Sequence, residues 1–385
     1  MMEEWREYKL GDILNFRRGH DLPHSEMKGG VIPVAGSNGV IGYHDVATPI
    51  SPCITIGRSG NVGTPYFYEK CWAHNTVLYV DDFKGNYPLY LYYLLKTLPL
   101  ASFGGGSAVP TLNRNHIHPL IVRHISNIEI QKKVASVLKS LDDKIEVNRR
   151  INENLEQQAQ ALFKTWFVDF EPFKNGEFVE SELGMIPKGW RVIELQNVVT
   201  IKRGGSPRPI QAFLSESGYK WLKISDATAC MSPFLFDIKE SIKKSGLSKT
   251  VLLKPGNLVL SNSATPGIPK ILGVESCIHD GWLYFPQSEL SNYYLYLLFL
   301  HKRDFLLSQG NGSVFTNLKT EILKAMKIAL PIKKILLDFD KIIVSLFFQI
   351  ENNTKESRRL AQLRDTLLPR LMSGELKVNE IENVL

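Results

Sequence analysis

Apolar side chains recur at steps of three and four residues along Ile128–Phe167, and this spacing predicts one continuous helix. The stripe persists for about four heptads, as it does in a helix that packs along another helix. Its members are Val134, Leu138, Leu141, Ile145, Asn148, Asn152, Leu155, Ala159 and Leu162. Ser126 and Glu129 form an S-x-x-E capping box before the stripe, and Pro172 cannot continue the helix. The helix would be about 50–60 Å long, and an ordinary core helix is the alternative interpretation.

A second stripe of the same spacing lies in Leu337–Leu376. A shift of 205 positions carries the first stripe onto Phe339, Ile343, Leu346, Ile350, Asn353, Ser357, Leu360 and Leu367. Arg364 falls where the first stripe has Ala159 and interrupts the pattern, while Leu363 beside it continues the apolar face. Two long helices of matching pattern indicate an internal duplication.

The duplication extends to the segments before each helix. Trp5-Arg6 and Trp190-Arg191 open two stretches with the spacing W-R-x3-L-x8-G, which predict a short strand or turn leading to a loop. Strand-like runs, aromatic helical runs and glycine-rich turns then follow in the same order: Ile54–Gly57 and Val259–Asn262; Asn86–Leu95 and Asn292–Leu298; Gly104–Ser107 and Gly310–Ser313. The second copy carries a longer region between Gly204 and Leu253.

These patterns predict an α+β fold in which two similar globular domains are joined by two long antiparallel coiled-coil helices, with a pseudo-twofold internal repeat. The predicted segments are residues 1–127, 128–171, 172–335 and 336–385, in the order domain, helix, linker with domain, helix with tail. Asn148 and Asn353 occupy the middle of the two stripes. We expect them to face each other and to fix the pairing register, although a position facing solvent is an equal alternative.

Composition limits the classes of protein. With 385 residues and 44% hydrophobic content, the chain is long enough for more than one core. It contains no uninterrupted apolar run of about 18 residues, so no membrane span is expected. The four cysteines are scattered without a C-x-x-C pair, which argues against a zinc site or a disulfide scaffold and favours a reduced cytoplasm. The formal net charge of +7 fits a polyanionic partner without proving one.

Several motifs together resemble one protein family. Besides the two W-R-x3-L openings, they are Val31–Gly39 (VIPVAGSNG), Leu141–Asn148 (LDDKIEVN), Ala161–Phe167 (ALFKTWF), Ser181–Trp190 (SELGMIPKGW) and Leu367–Glu375 (LLPRLMSGE). The chain resembles, over its whole length, the specificity (S) subunit of type I restriction-modification systems. One departure is that the first copy lacks the L-G-x-I-P lead-in and starts almost at Trp5.

The resemblance implies two target-recognition domains, each of which reads one half of a split site on double-stranded DNA. It also implies that the paired helices set the gap between the halves and dock two methyltransferase (M) subunits, and that restriction (R) subunits complete the nuclease. Such a subunit performs no catalysis and binds no cofactor itself. S-adenosylmethionine, ATP and magnesium are expected on the partner subunits, and methylation is expected on adenine.

Basic side chains beside glycines suit contacts with DNA phosphates, and amide or hydroxyl side chains suit base edges or phosphates. The candidates are Arg17, Arg18, Ser37, Asn38, Arg58, Asn61, Arg114, Lys202, Arg203, Arg208, Asn262, Ser263, Asn311 and Lys319. For any single candidate, a solvated loop residue is the stronger alternative. The tyrosines at positions 87–93 could stack on bases, but their helical spacing favours packing inside the domain.

The chain lacks the N/D-P-P-Y/F tetrapeptide that resemblance to amino-methyltransferases would require. His116 and His118 could present two imidazoles on one strand face, yet no cysteine or carboxylate cluster accompanies them in sequence, so we expect ordinary strand or loop residues and no metal. Two alternatives to a recognition subunit remain. One is a self-contained DNA-modifying or DNA-cutting enzyme, and the other is a coiled-coil scaffold that joins two non-DNA partners.

Overall fold

The structure, a computed structural model, describes residues 5–105, 110–308 and 318–381. The chain forms two compact units. Unit 1 contains the chain up to Glu146 together with the chain from Arg358 onward, and unit 2 contains Val147–Ser357. Each unit therefore includes part of each long helical segment, and the four-segment division made from the sequence stays a prediction.

Unit 1 is built mainly from short strands. They are β1 (Arg6–Lys9), β2 (Asn15–Arg18), β3 (Ile32–Gly36), β4 (Gly39–His44), β5 (Cys53–Gly57), β6 (Pro65–Tyr68), β7 (Trp72–Ala73), β8 (Val77–Asp82), β9 (Gly104–Gly105), β10 (Thr111–Leu112) and β11 (Ile121–His124). Its short helices are α1 (Leu10–Ile13), α2 (Pro88–Thr97) and α3 (Arg114–Ile117). The main sheet has the order β2-β8-β5-β6, a second sheet has the order β4-β3-β7, and β1 pairs antiparallel with β11.

Helix α4 (Ile128–Phe167) has the bounds that the hydrophobic stripe predicts. Its cap differs from the prediction. The side chain of Asn127 accepts hydrogen bonds from the backbone N–H groups of Glu129 (3.0 Å) and Ile130 (3.4 Å). The Ser126 hydroxyl lies instead 3.1 Å from the hydroxyl of Tyr8. The predicted Ser126–Glu129 capping box is therefore wrong, because Asn127 stands directly before the first helical residue and caps as well as serine does.

Unit 2 continues with strands β12 (Phe178–Ser181), β13 (Gly184–Pro187), β14 (Arg191–Glu194), β15 (Val199–Arg203), β16 (Leu214–Ser215), β17 (Tyr219–Leu222), β18 (Phe234–Leu235), β19 (Glu240–Ile242), β20 (Val251–Leu253), β21 (Leu258–Ser261), β22 (Pro269–Leu272), β23 (Ser276–Ile278), β24 (Trp282–Ser288) and β25 (Lys327–Leu330). Its short helices are α5 (Ile224–Ala229), α6 (Asn292–His301), α7 (Arg303–Ser308) and α8 (Thr320–Lys324). The sheets have the orders β15-β24-β21-β22-β18 and β16-β19-β17-β23-β20, and the pairs β12-β13 and β14-β25 stand apart.

Helix α9 (Lys333–Ser373) begins and ends a few residues earlier than the predicted Leu337–Leu376. It ends where Gly374 takes a left-handed conformation (φ +73°), and the N–H of Leu376 donates to the carbonyl of Arg370 at 3.0 Å. Glycine is the residue that adopts this helix-ending geometry without strain. A last helix, α10, covers Val378–Ile381. Within the described ranges, no helix is both long and apolar enough to cross a membrane.

The two units repeat one framework, so the predicted duplication and α+β class are confirmed. The order β2-β8-β5-β6 in unit 1 corresponds to β15-β24-β21-β22 in unit 2. The opening strand pairs with the strand before the long helix in both, as β1 with β11 and as β14 with β25. The longer region of the second copy supplies β16, β18, β19 and α5, which widen the sheets of unit 2.

The hydrophobic stripes of α4 and α9 form the cores of the units. In unit 1, Val134, Leu138 and Leu141 of α4 join a core that also contains Leu367 and Leu371 near the end of α9. In unit 2, the core combines Leu155 and Ala159 of α4 with Phe339, Ile343 and Ile350 from the start of α9. The start of one helix meets the end of the other, as the predicted antiparallel pairing requires.

A polar layer interrupts the apolar contact between α4 and α9 in unit 2. Asn148 is fully buried, and its amide donates to the carbonyl of Asn353 (3.5 Å) and to the carboxylate of Glu356 (2.7 Å). The side-chain amide of Asn353 donates to the side-chain oxygen of Asn152 at 3.0 Å. The two central asparagines therefore meet as expected, although Asn148 contacts the backbone of Asn353 and not its side chain.

The tyrosine run packs inside unit 1. Tyr90 and Tyr93 on α2 are at most 1% exposed and belong to its core, and Tyr93 also donates a hydrogen bond to Asp142 at 2.8 Å. Packing, the favoured alternative for these residues, is confirmed.

Candidate nucleic-acid interface

In each unit, the predicted basic pair ends an edge strand and is followed by a glycine. Arg17 and Arg18 end β2, and Lys202 and Arg203 end β15; all four are exposed. A Cβ atom on the next residue, Gly19 or Gly204, would overlap the carbonyl oxygen of the histidine that faces it, His74 or His279. Only glycine permits this close approach, which fixes the strand end and the direction of the basic pair.

The carbonyl of Thr76 holds together the two segments of unit 1 that contain the predicted residues Ser37 and Arg58. It accepts hydrogen bonds from the Ser37 hydroxyl (2.6 Å) and from the N–H of Arg58 (2.8 Å). The tip of the β3–β4 hairpin, with Asn38 exposed, is thereby held beside the turn that follows β5, in which Asn61 is also exposed. The Ser37 side chain is buried and its hydroxyl is engaged within the unit.

Four predicted residues of unit 1 converge on one open cavity of about 390 Å³. Its lining consists of Arg17, Arg18, Arg58 and Arg114 with Leu78, Thr111, Leu112 and Asn113. The guanidinium of Arg58 lies 3.5 Å from the carbonyl of Asn75, and that of Arg114 donates to the carbonyl of Phe16 at 3.1 Å. Partial burial lowers the pKa of Arg58, and the nearby charge of Arg18 lowers it further.

In unit 2, the basic residues gather around an acidic one. Arg203 donates to the carbonyl of Asp280 at 3.1 Å, and Arg208 donates to its carboxylate at 3.2 Å. The hydroxyl of Ser206 donates to the same carboxylate at 2.6 Å. This hydrogen bond, aided by the charge of Arg208, lowers the pKa of Asp280, so the carboxylate stays ionised and neutralises part of the basic cluster. Lys202 is exposed.

Asn262 occupies in unit 2 the place that Arg58 occupies in unit 1. The N–H of Asn262 donates to Gly281 at 2.9 Å and its carbonyl accepts from Leu318 at 2.8 Å. The N–H of Arg58 donates to Thr76 and its carbonyl accepts from Leu112, both at 2.8 Å. The Asn262 side chain is only 1% exposed, so it does not reach a ligand from this position.

The remaining predicted DNA-binding residues of unit 2 are Ser263, Lys319 and Asn311. Ser263 is half-buried next to Asn262, and Lys319 is exposed directly after Leu318. Asn311 lies outside the described residues.

Sequence reasoning missed a cavity of about 490 Å³ in unit 2. It is lined by Ser206, Pro207, Arg208, Pro209, Ile210, Gln211, Leu214, Trp221, Lys223, Glu240 and His279. Lys223 and Glu240 form an ion pair in its wall, and the rings of Trp221 and His279 lie 5.9 Å apart. Seven of these residues lie within Ser206–Leu214, around the S-P-R-P run, and the other four come from later segments of the chain.

His116 and His118 do not form a strand face. Asn113 caps the short helix α3 by accepting from the N–H of Asn115 at 3.0 Å, so both histidines lie in or after a helical turn and the strand expectation is wrong. The Nε2 atom of His118 accepts a hydrogen bond from the N–H of Phe16 at 3.1 Å. Among the described residues, no three histidine, cysteine, aspartate or glutamate side chains cluster as a metal site would require.

Comparisons with known proteins agree with this architecture. A family model described as the type I restriction modification DNA specificity domain matches residues 2–157 and 187–364. The type I restriction enzyme MjaIX specificity subunit of Methanocaldococcus jannaschii is 30% identical over 305 residues, which cover 76% of this chain and 70% of that protein. The HindI specificity subunit of Haemophilus influenzae is 26% identical over 316 residues, which cover 66% of this chain and 68% of that protein.

A solved structure shares the fold. The S subunit of a type I restriction-modification system from M. genitalium superposes with a TM-score of 0.61 at 15% identity and covers 96% of both chains. At this identity the likeness concerns the fold alone. The family model, which matches both copies, and the sequence relatives carry the assignment: the chain belongs to the family of type I restriction-modification DNA specificity (S) subunits.

Proposed function

We propose that this chain recognises a split, asymmetric sequence on double-stranded DNA and directs adenine methylation and restriction by partner subunits. Each unit reads one half of the site. The observation that carries the proposal is the repeated framework, which presents a basic pair at the equivalent strand end of both units, at Arg17-Arg18 and at Lys202-Arg203. The two half-sites differ because the side chains on the common framework differ, as Arg58 and Asn262 illustrate.

The exposed basic residues contact phosphates, which supply affinity without reading the sequence. This group contains Arg17, Arg18, Arg114, Lys202, Arg203, Arg208 and Lys319. Asn38, Asn61 and Ser263 are placed on turns beside them and contact base edges or phosphates. Ser37 and Asn262 support these turns from inside, since their side chains are buried. Asn311 stays a candidate for DNA contact on the basis of the sequence alone.

The long helices dock two M subunits, and R subunits join the assembly. An exposed apolar stripe on α9 supports this role: Leu337, Val344 and Phe348 recur at steps of seven and four and are 52%, 46% and 60% exposed. A stripe of this size on a helix surface is the kind of feature that a partner helix covers. Phe348→Glu should reduce the amount of methyltransferase that copurifies with the chain, whereas Phe305→Glu, a change at an exposed phenylalanine outside α9, should not.

The chemistry belongs to the partners. S-adenosylmethionine is bound by the M subunits, and ATP with magnesium is used by the R subunits. The purified chain alone should neither methylate nor cleave DNA. Either activity in the pure chain would revive the alternative of a self-contained enzyme.

Modified-base sequencing of the host genome, with the gene intact and deleted, tests the proposed function. We expect methylated adenines to disappear from one split, asymmetric motif in the deletion strain. If the methylation map is unchanged, the chain is purified with its neighbouring gene products and tested for binding to host DNA fragments. Failure to bind any fragment would favour a scaffold that joins non-DNA partners.

A further inference from the structure

The arginines around the cavity of unit 1 keep their charge unneutralised. No aspartate or glutamate is among the residues that line this cavity. Arg58 and Arg114 are oriented by backbone carbonyls, of Asn75 and Phe16, and not by carboxylates. In the described part of the chain, none of the four arginines forms a salt bridge. The cavity is therefore strongly positive and its fixed arginines are available to a ligand.

Placing four guanidinium groups around one cavity is unfavourable unless an anion binds there. Like charges repel, and the charge of Arg18 adds to burial in lowering the pKa of Arg58. Guanidinium groups match the oxygens of phosphate in paired, directional hydrogen bonds. A phosphate group would replace repulsion by attraction without moving the two arginines that the carbonyls hold.

The four arginine positions of unit 1 are not all repeated among the described residues of unit 2. The position of Arg58 holds Asn262, whose side chain is buried. The segment after Leu318, which corresponds to the segment after Leu112, has Lys319 and Thr320 where unit 1 has Asn113 and Arg114. Of the predicted basic residues of unit 2, Arg203 donates to the backbone carbonyl of Asp280 and Arg208 donates to its carboxylate.

We propose that the four-arginine cavity of unit 1 is a preformed site for one phosphate group of the DNA backbone, and that it makes unit 1 the main electrostatic anchor on the target. This proposal rests on the proposed function and adds to it an asymmetry between the units. A phosphate is favoured over a guanine base because guanine offers two acceptors to one guanidinium, whereas the phosphate oxygens can be shared among several.

The test measures DNA binding by the chain assembled with its methyltransferase subunits. A duplex with the mapped target and one with a scrambled target are titrated over a range of salt concentrations. Arg58→Gln and Arg114→Gln should each weaken binding to both duplexes about tenfold and make the slope of log affinity against log salt shallower by about 1. Arg203→Gln and Arg208→Gln, at the proposed phosphate contacts of unit 2, should weaken binding less than the unit 1 variants do, because Asp280 already engages both side chains.

A single neutral methylphosphonate in the first half-site refines the test. When the methylphosphonate stands at the backbone position that occupies the cavity, it should weaken DNA binding by the wild type as much as Arg58→Gln does. It should cause no further loss of affinity in the Arg58→Gln variant. The unfolding temperature of Arg58→Gln should equal that of the wild type or be higher, since the substitution removes a repulsion between positive charges. If that variant does not fold, Arg58→Lys, which keeps the charge but loses the paired geometry, should give a smaller loss.

The outcomes separate the possibilities. A loss confined to one base pair, with an unchanged salt slope, would overturn the phosphate site in favour of base reading. Equal losses for the unit 1 and unit 2 variants would overturn the asymmetry. Inorganic phosphate should raise the unfolding temperature of the wild type more than that of Arg58→Gln; if it does so while Arg58→Gln binds DNA normally, the cavity serves free phosphate and not DNA. Absence of any DNA binding by the wild-type complex would instead contradict the proposed function.

Discussion

The side-chain amide of Asn148 donates a hydrogen bond of 2.7 Å to the carboxylate of Glu356 between the two long helices of unit 2. Asn148 is fully buried, and its side-chain oxygen has no hydrogen-bond partner among the described residues. A buried acceptor without a partner costs free energy, whereas a polar residue at a helix interface restricts the register in which the helices pair. The layer around Asn148 thus favours one pairing at the expense of stability.

Replacing Asn148 with leucine should stabilise unit 2 by about 1 kcal/mol, because it removes the unpaired acceptor and adds apolar contact. Glu356 is exposed, so its carboxylate can be hydrated after the change. Calorimetric unfolding of the full chain measures the effect. Asn154→Leu, at an exposed position on the same helix, should leave the unfolding temperature unchanged. A clear loss of stability in Asn148→Leu would contradict the register role.

Arg364 interrupts the second stripe because it pairs with Asp142, at 2.6 Å, in unit 1. Their side chains are 19% and 27% exposed, and Tyr93 donates to the other carboxylate oxygen. Without Asp142, the guanidinium of Arg364 keeps only its ion pair with the exposed Asp365, at 2.8 Å, so Asp142→Asn should destabilise unit 1 by about 1–2 kcal/mol. Asp143→Asn breaks an exposed pair with Lys139 and should cost less than about 0.5 kcal/mol. Equal effects in chemical denaturation would show that the Asp142 pair contributes no more than a surface pair.

The long helices were predictable because one periodic signal specifies them. The stripe gave both bounds of α4, and the buried positions Val134, Leu138 and Ala159 follow it. The cap was not predictable, since Ser126 and Asn127 are neighbouring residues of equal capping ability and only Asn127 has the required geometry. The partner of Arg364 was also hidden, because the pairing depends on a contact between residues on different helices.

Gly19 and Gly204 should not tolerate a side chain. A Cβ atom would overlap the carbonyl of His74 or His279, so Gly19→Ala and Gly204→Ala should each destabilise their unit by about 1–3 kcal/mol. Each should also weaken DNA binding, because the adjacent basic pair is displaced. Gly29→Ala is the matched control, since its added Cβ would have no heavy atom within 4 Å. Unfolding temperatures near wild type for all three variants would show that the strand ends can shift freely.

Acid should destabilise unit 1 through His124. Its ring lies between Tyr8 (5.3 Å) and Tyr90 (5.6 Å), and burial lowers its pKa to about 4. The unfolded chain binds the proton with the ordinary pKa of about 6.5. The contribution of neutral His124 is therefore complete above pH 6.5 and is lost as the pH falls toward 4, by about 3 kcal/mol in total.

His124→Phe should retain the ring packing and lack this acid sensitivity. The difference in unfolding free energy between the wild type and the variant should shift by about 3 kcal/mol between pH 7 and pH 4. His116→Gln, at an exposed position, serves as the mutational control. Parallel pH profiles for the wild type and His124→Phe would contradict the assignment.

The candidate site was predictable in its parts and not in its assembly. Basic residues beside glycines identified Arg17, Arg18 and Arg58, but their convergence with Arg114 depends on how β2, β5 and α3 are arranged. The burial of Ser37 and Asn262 could not be inferred, because each lies in a polar segment of ordinary composition. The cavity around Trp221 was not predictable for a different reason. The segment Ser206–Leu214 supplies most of its lining, but Glu240 and His279 join it from parts of the chain that are distant in sequence.

The core of unit 1 contains side chains that lie far apart in the sequence. Leu10 and Leu14 share it with Leu368 and Met372, which are translated after the whole of unit 2. During synthesis, the N-terminal unit therefore remains incomplete while unit 2 is made in full, and its core closes only when the last part of α9 has left the ribosome. A premature stop after unit 2 would leave the N-terminal unit, not the one beside the break, with an exposed apolar surface.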